Sequence, residues 1–270
     1  MNVRFDPTQF SKATIVVEGR DDSFDRPFYQ WILGDDGINI LPLGGYENVQ
    51  TAANKQGLWA SAGAAKIVGV VGREFRSIEV LIALKESCIV TDYFEAESYL
   101  CEPDILTQLS DALGRQEPLK QEKVIETIKQ MLSNELYYIA GRRTFSRCTG
   151  TFGVSVEGKR WAEKLEDASQ LREIVRRAAN TEGERFNAVM SEHATLNVLD
   201  EEVEHGRQIL SSSNLPRMLQ YLPGKNLLRR LAPLLGVPSE LLLQDAISHL
   251  KVAKLAKVDA LQKAIRQRLR

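Results

Sequence analysis

The feature that most constrains this chain is a β-branched run, Thr14–Val17, that ends in Glu18-Gly19 and gives way to an apolar stripe at Phe24, Phe28, Trp31 and Ile32. β-branched side chains suit extended backbone, and the four, three, one spacing of the stripe fits one face of a helix. The alternation then repeats. Ile38–Leu43 is strand-like and runs into Gly44-Gly45, and Asn48–Ala60 reads as a helix. Ile67–Val71 is a third buried strand, and Glu79–Leu84 with Cys88–Val90 supplies at least one more. Strand, helix, strand, helix, strand predicts an α/β fold: a mostly parallel sheet flanked by helices over residues 1–100.

After Cys101 the texture becomes helical, so 101–270 is expected to be a mainly helical region completing or flanking the sheet. Pro103 and Asp104 open a helix with Ile105, Leu109 and Leu113 on one face, and a second runs from about Leu119 to Leu132. Tyr137–Ala140 reads as one more strand. Lys159 to Val189 is charged and helical, with Glu and Lys or Arg at helix-pair spacing. Ser211–Asn214 is a loop, and a last helix is expected from an N-cap at Ser239, with a stripe from Val252 to Leu269.

Charge excludes one class of protein. The 270 residues carry 35 Lys plus Arg against 36 Asp plus Glu, so a uniformly basic nucleic-acid coat is ruled out. A local basic surface is not, because Arg217–Arg270 holds eleven basic residues against three acidic ones. That segment could track phosphates, pack one face and solvate the other, or dock an acidic partner. Cys88, Cys101 and Cys148 are odd in number and lack a CxxC, which argues against a disulfide framework or zinc ribbon. No signal-like segment opens the chain, and no apolar run reaches the ~18 residues of a membrane span. A reduced, cytoplasmic protein without a membrane partner is the expectation.

Chemistry concentrates at the predicted strand ends. Val16-Val17-Glu18-Gly19-Arg20-Asp21-Asp22 delivers Glu18 to the carboxyl edge of the sheet, where α/β folds build their sites. Asp22 falls one turn later if a helix begins there, and the two carboxylates then suit a Mg²⁺ ion. Asp21 and Asp22 could equally cap the following helix. The third strand ends Val71-Gly72-Arg73-Glu74, and the fourth runs through Thr91-Asp92-Tyr93 toward Glu97. Acids at three strand ends fit metal-assisted phosphodiester chemistry.

Other signals are weaker. Gly153 to Arg160 approaches GxxxxGK[ST] but has Arg160 where the Mg²⁺-binding hydroxyl belongs, so an ordinary turn before a helix is the better reading. His193, His205 and His249 lie at no metal-ligand spacing. Arg142, Arg143 and Arg147, near Tyr137, Tyr138 and Phe145, suit either a nucleic-acid contact or a half-buried strand with a basic face.

Taken together, IVVEGRDD, Gly44-Gly45-Tyr46-Glu47-Asn48-Val49, VVGREF and TDYFEAESYL resemble the Toprim domain. More narrowly, they resemble Toprim proteins related to the overcoming-lysogenization-defect nucleases, such as the effector subunit of the PARIS anti-phage system. The likeness covers about residues 12–100 and extends weakly to Leu222-Pro223-Gly224-Lys225-Asn226-Leu227-Leu228. It implies a Mg²⁺- or Mn²⁺-dependent nuclease acting on DNA or RNA, controlled by an ABC-type ATPase subunit, with a homodimer as a further open assembly. Glu18, Asp22, Glu74 and Glu97 would be its catalytic metal ligands, with Asp92 fixing the turn that presents Glu97. Arg73 would clamp a phosphate, and Arg142, Arg143 and Arg147 would hold nucleic acid.

One departure bears on activity. The family carries Asp-x-Asp at the third strand end, and this chain has Gly72-Arg73-Glu74. Gly72 offers no ligand, and the longer Glu74 stem shifts its oxygens by roughly 1 to 1.5 Å. A one-metal nuclease and an inactive Toprim module binding nucleic acid or a partner both follow.

Overall fold

The computed structural model describes residues 12–21, 23–34, 37–61, 63, 65–113, 119–149, 169–170, 172–173, 176, 192–237 and 256–270. Four short strands, β1 (Thr14–Val17), β2 (Asn39–Pro42), β3 (Ile67–Val71) and β4 (Cys88–Val90), pair in parallel in the order β2-β1-β3-β4. The continuous apolar runs of β1 and β3, the two central strands, follow from burial on both faces. Ile15, Val17, Val68, Val70 and Ile89 feed one core, whereas Val16, Ile67, Val71 and Cys88 feed a smaller one opposite.

Helix α1 (Asp25–Leu33) covers the first face with Phe28, Tyr29, Trp31, Ile32 and Leu33, as its stripe predicts. On the second face lies α2 (Tyr46–Asn54), burying Val49 and Ala52 beside Leu84 of α4 (Ile78–Ser87). Between them, α3 (Gln56–Ser61) is a separate short helix, so the single helix expected over Asn48–Ala60 is in fact two. Glu79–Leu84 is helical rather than a strand. Ser77 caps α4 by accepting from the Val80 N–H at 3.4 Å, and this overrides a β-rich local composition.

The remaining helices are α5 (Ala96–Tyr99), α6 (Pro103–Ala112), α7 (Gln121–Thr149), α8 (Glu192–Ser212), α9 (Leu215–Tyr221), α10 (Gly224–Leu235) and α11 (Ala256–Leu269). The strand expected at Tyr137–Ala140 lies inside α7, where Leu132, Leu136, Ile139 and Ala140 are buried at helical spacing. α8 runs on through Ser212, and the turn expected at 211–214 shrinks to Ser213 (φ 52°) and Asn214, the N-cap of α9. The expected helix start at Ser239, the P-loop-like Gly153–Arg160 and His249 lie outside the described residues. Among the described residues, no helix is long and apolar enough to cross a membrane, and the three cysteines are buried and free.

The helical half does not stand apart from the sheet. Leu227, Leu228 and Leu231 of α10 and Val258, Leu261 and Ile265 of α11 belong to the same buried cluster as Val68, Val70 and Phe28.

Candidate acidic site at the sheet edge

From β1 the chain crosses outward to β2, then returns past β1 to β3 and β4, so the strand order reverses between β1 and β3. Open α/β sheets leave a crevice at the carboxyl ends of the two strands flanking such a reversal. A cavity of about 390 Å³ opens there. It is lined by, among others, Glu18, Asp25, Glu74, Glu95, Glu97 and Arg76. Glu18 and Glu97, far apart in sequence, therefore share one pocket.

Arg76 joins the acids on the pocket's β1–β3 side. The side chain is 1% exposed, and its Nη2 donates to Glu18 Oε1 at 2.6 Å while lying 3.4 Å from Glu74 Oε2. Nη1 donates to the Gly72 carbonyl, and the guanidinium lies 4.8 Å from the Tyr46 ring centroid. Burial holds the Glu18 carboxyl well above the ordinary range, the charge of Glu74 adds to this, and Arg76 opposes it without reversing it.

The other side of the pocket is built from α1 and α5. Asp25 opens α1 and turns back over Gly19, accepting from Ser23 Oγ at 3.3 Å. A Cβ on Gly19 would meet Ser23 Cβ at 2.9 Å and would overlap both Ser23 Oγ and Asp25 Oδ2, which is why glycine follows Glu18. Burial raises Asp25 to about 6 against the hydrogen bonds from Ser23 and the Gly19 backbone, and Glu74 adds to the rise. Glu95 is the N-cap of α5 and accepts from the Lys225 N–H at 2.7 Å, tying it to the start of α10. Burial lifts it to about 7, Lys225 counteracts this, and Glu74 and Asp25 add to it. Glu97 reaches about 8, again chiefly by burial and then through the charges of Glu95 and Asp25. Buried Tyr29 lines the same cavity, and its phenol is raised by burial and by Asp25.

The β3 exit explains Gly72. Glu74 takes a left-handed backbone (φ 42°), and its N–H donates to the Phe94 carbonyl at 2.8 Å, drawing the two loops together. A Cβ on Gly72 would stand 2.9 Å from that same Phe94 oxygen. The missing acid of an Asp-x-Asp pair is thus excluded by backbone packing.

Of the sequence-predicted residues, Glu18, Glu74 and Glu97 come together, and Asp22 lies outside the described residues. Arg73 is half-buried away from the cavity lining, in the field of Arg143, Asp92 and Tyr99, so the arginine in the pocket is Arg76. Asp92 is paired with Lys257 Nζ at 3.3 Å and its N–H donates to the Tyr99 hydroxyl at 3.0 Å, while the Thr91 hydroxyl also holds the turn before Glu97 by donating to the Tyr93 carbonyl at 2.8 Å. The three α7 arginines are engaged internally. Arg142 lies over the Phe75 ring at 4.7 Å, while Arg143 and Arg147 bridge Glu202 at 2.6 and 3.1 Å, and Arg147 reaches Glu201 at 3.0 Å. Sequence reading missed Asp25, Glu95 and Arg76. Ser23-Phe24-Asp25 before a predicted helix was the available signal for the first.

Among the described residues, no three His, Cys, Asp or Glu side chains converge closely enough to hold a metal ion as they stand. In kind, however, Asp25, Glu95 and Glu97 fit a hard divalent cation. They offer only oxygen donors, and their pKa values are raised chiefly by burial, with neighbouring carboxylates adding to the rise. No family model, curated protein or solved structure matches the chain.

Proposed function

We propose that this chain is a Toprim-like effector subunit with a degenerate, one-metal phosphodiester site. In this reading it cleaves nucleic acid in the cytoplasm in anti-phage defence, under control of an ABC-type ATPase. The observation that carries the reading is the convergence of Glu18, Asp25, Glu74, Glu95 and Glu97 on one pocket at the strand-order reversal. Such a pocket is suited to a polyanionic substrate only when cations offset it. Asp25, Glu95 and Glu97 would hold one Mg²⁺ or Mn²⁺, which when bound polarises a phosphoryl oxygen. Arg76 would neutralise the Glu18–Glu74 side, and Arg20, which also lines the cavity, is placed to meet an incoming phosphate. Glu18, whose carboxyl is held above its ordinary range chiefly by burial, would be the residue for proton transfer at the leaving oxygen. Partner and biological setting rest on the resemblance of residues 12–100.

The test is cleavage of supercoiled plasmid and of structured RNA with Mg²⁺ or Mn²⁺, by the chain alone and with a co-expressed ATPase neighbour. Divalent-dependent cleavage that falls at least 10²-fold in Glu97→Gln is expected. The second reading, an inactive module that binds nucleic acid or a partner, is favoured by the Arg76–Glu18 ion pair and by Gly72. Binding without cleavage under every condition, and expression toxicity unchanged by Glu18→Ala, would establish it instead.

A further inference from the structure

Two-metal phosphodiester sites place two cations about 3.5–4 Å apart between their carboxylates. Here one such place is filled by the protein itself. We propose that Arg76 is a resident cation standing where a second divalent ion would lie, so that the site takes at most one ion and has dispensed with the other. The inference rests on reading the pocket as a Toprim-like phosphodiester site.

Three contacts carry it. Nη2 spans the carboxylates of Glu18 and Glu74 at 2.6 and 3.4 Å, the two acids left on the β1–β3 side of the pocket. Nη1 meets the carbonyl of Gly72, the residue at which a second ligand is absent. An ion bridging the same carboxylates needs oxygens at ~2.0–2.1 Å, and it would have to displace Nη2 to obtain them. The guanidinium cannot simply swing aside. It is 1% exposed, held by Gly72 and Glu18, and packed over Tyr46. Gly72 and Arg76 thus form one linked change, because backbone packing excludes an acid at 72 and the guanidinium supplies the charge an ion would have brought.

The experiment counts bound Mn²⁺ on the full chain by electron paramagnetic resonance and equilibrium dialysis, comparing the parent with Arg76→Gln. The parent is expected to bind no more than one ion and the variant one more than the parent. An unchanged count, or two ions on the parent, overturns the proposal. Should Arg76→Gln fail to fold in chelator, folding restored by millimolar Mn²⁺ supports it, since the ion then replaces the guanidinium, and no restoration overturns it. Cleavage is scored separately. A gained ion with no cleavage by either protein sinks the nuclease reading and leaves Arg76 standing, while cleavage by the parent with an unchanged ion count does the reverse.

Discussion

At the scale of single residues, the pocket is a place where the fold gives up stability. Glu97 has a folded pKa of about 8 against an ordinary value of 4.5. Below pH 4.5 both states carry the proton and Glu97 contributes nothing. Between 4.5 and 8 the unfolded chain ionises while the folded one does not, so stability falls as pH rises, and the penalty is complete above 8. For Glu97 this amounts to roughly 3–5 kcal/mol. In chelator, the melting temperature should therefore drop from pH 5 to pH 8.5. Glu97→Gln should flatten that slope and raise the melting temperature at pH 8.5, while changing little at pH 5. Parallel slopes for parent and variant would show that Glu97 ionises normally. Individual site residues were only partly legible beforehand. Glu18 announced itself because a strand ran directly into it. Arg76 did not, since nothing local says that a side chain four residues past Gly72 folds back under the sheet edge.

The arginines of α7 show what can be read at the scale of elements. Tyr137-Tyr138 and nearby basic residues imitate a strand with a cationic face, yet Leu132, Leu136 and Ile139 recur at helical spacing and form the buried face of a helix. Strands β1 and β3 were legible because a doubly buried parallel strand is an unbroken apolar run. α4 reads as a strand for the same reason, since Val80-Leu81-Ile82-Ala83-Leu84 has the same composition. The ion pairs joining α7 to α8 were illegible, for Arg143 and Glu202 are 59 positions apart. They now imply a stability hierarchy. Glu202 is 6% exposed and receives both Arg143 and Arg147, whereas Arg147 is 31% exposed. Glu202→Ala strands two guanidiniums and should cost about 3 kcal/mol in urea unfolding, against about 1 kcal/mol for Arg147→Ala. Equal costs would mean that the buried carboxylate does not join the two helices.

For the whole molecule, a boundary near residue 100 separates two textures without separating two cores. α11 buries Val258, Leu261 and Ile265 in the cluster that also holds Phe28 and Val70. Its polar residues finish α1. Gln262 Nε2 donates to the Ile32 carbonyl at 2.5 Å and Arg266 Nη2 to that of Leu33 at 2.9 Å, the otherwise unsatisfied end of that helix. The basic segment is thus used, at least through Lys257, Arg266 and Arg268, to hold the sheet domain together. The site depends on it as well. Glu95 is held by the Lys225 N–H and Asp92 by Lys257. The seating of α10 leaves no room for change, since a Cβ on Gly224 would stand 2.5 Å from Ser98 Oγ and 2.7 Å from Ser98 Cα. Burying three aliphatic side chains is worth ~5–8 kcal/mol, comparable with the entire stability of an ordinary domain. A chain ended at residue 255 should therefore lose its cooperative thermal transition and its near-ultraviolet circular dichroism, and with them any ability to bind Mn²⁺. A truncated chain melting within about 3 °C of the parent would instead make α11 a peripheral attachment, and the acidic pocket independent of it.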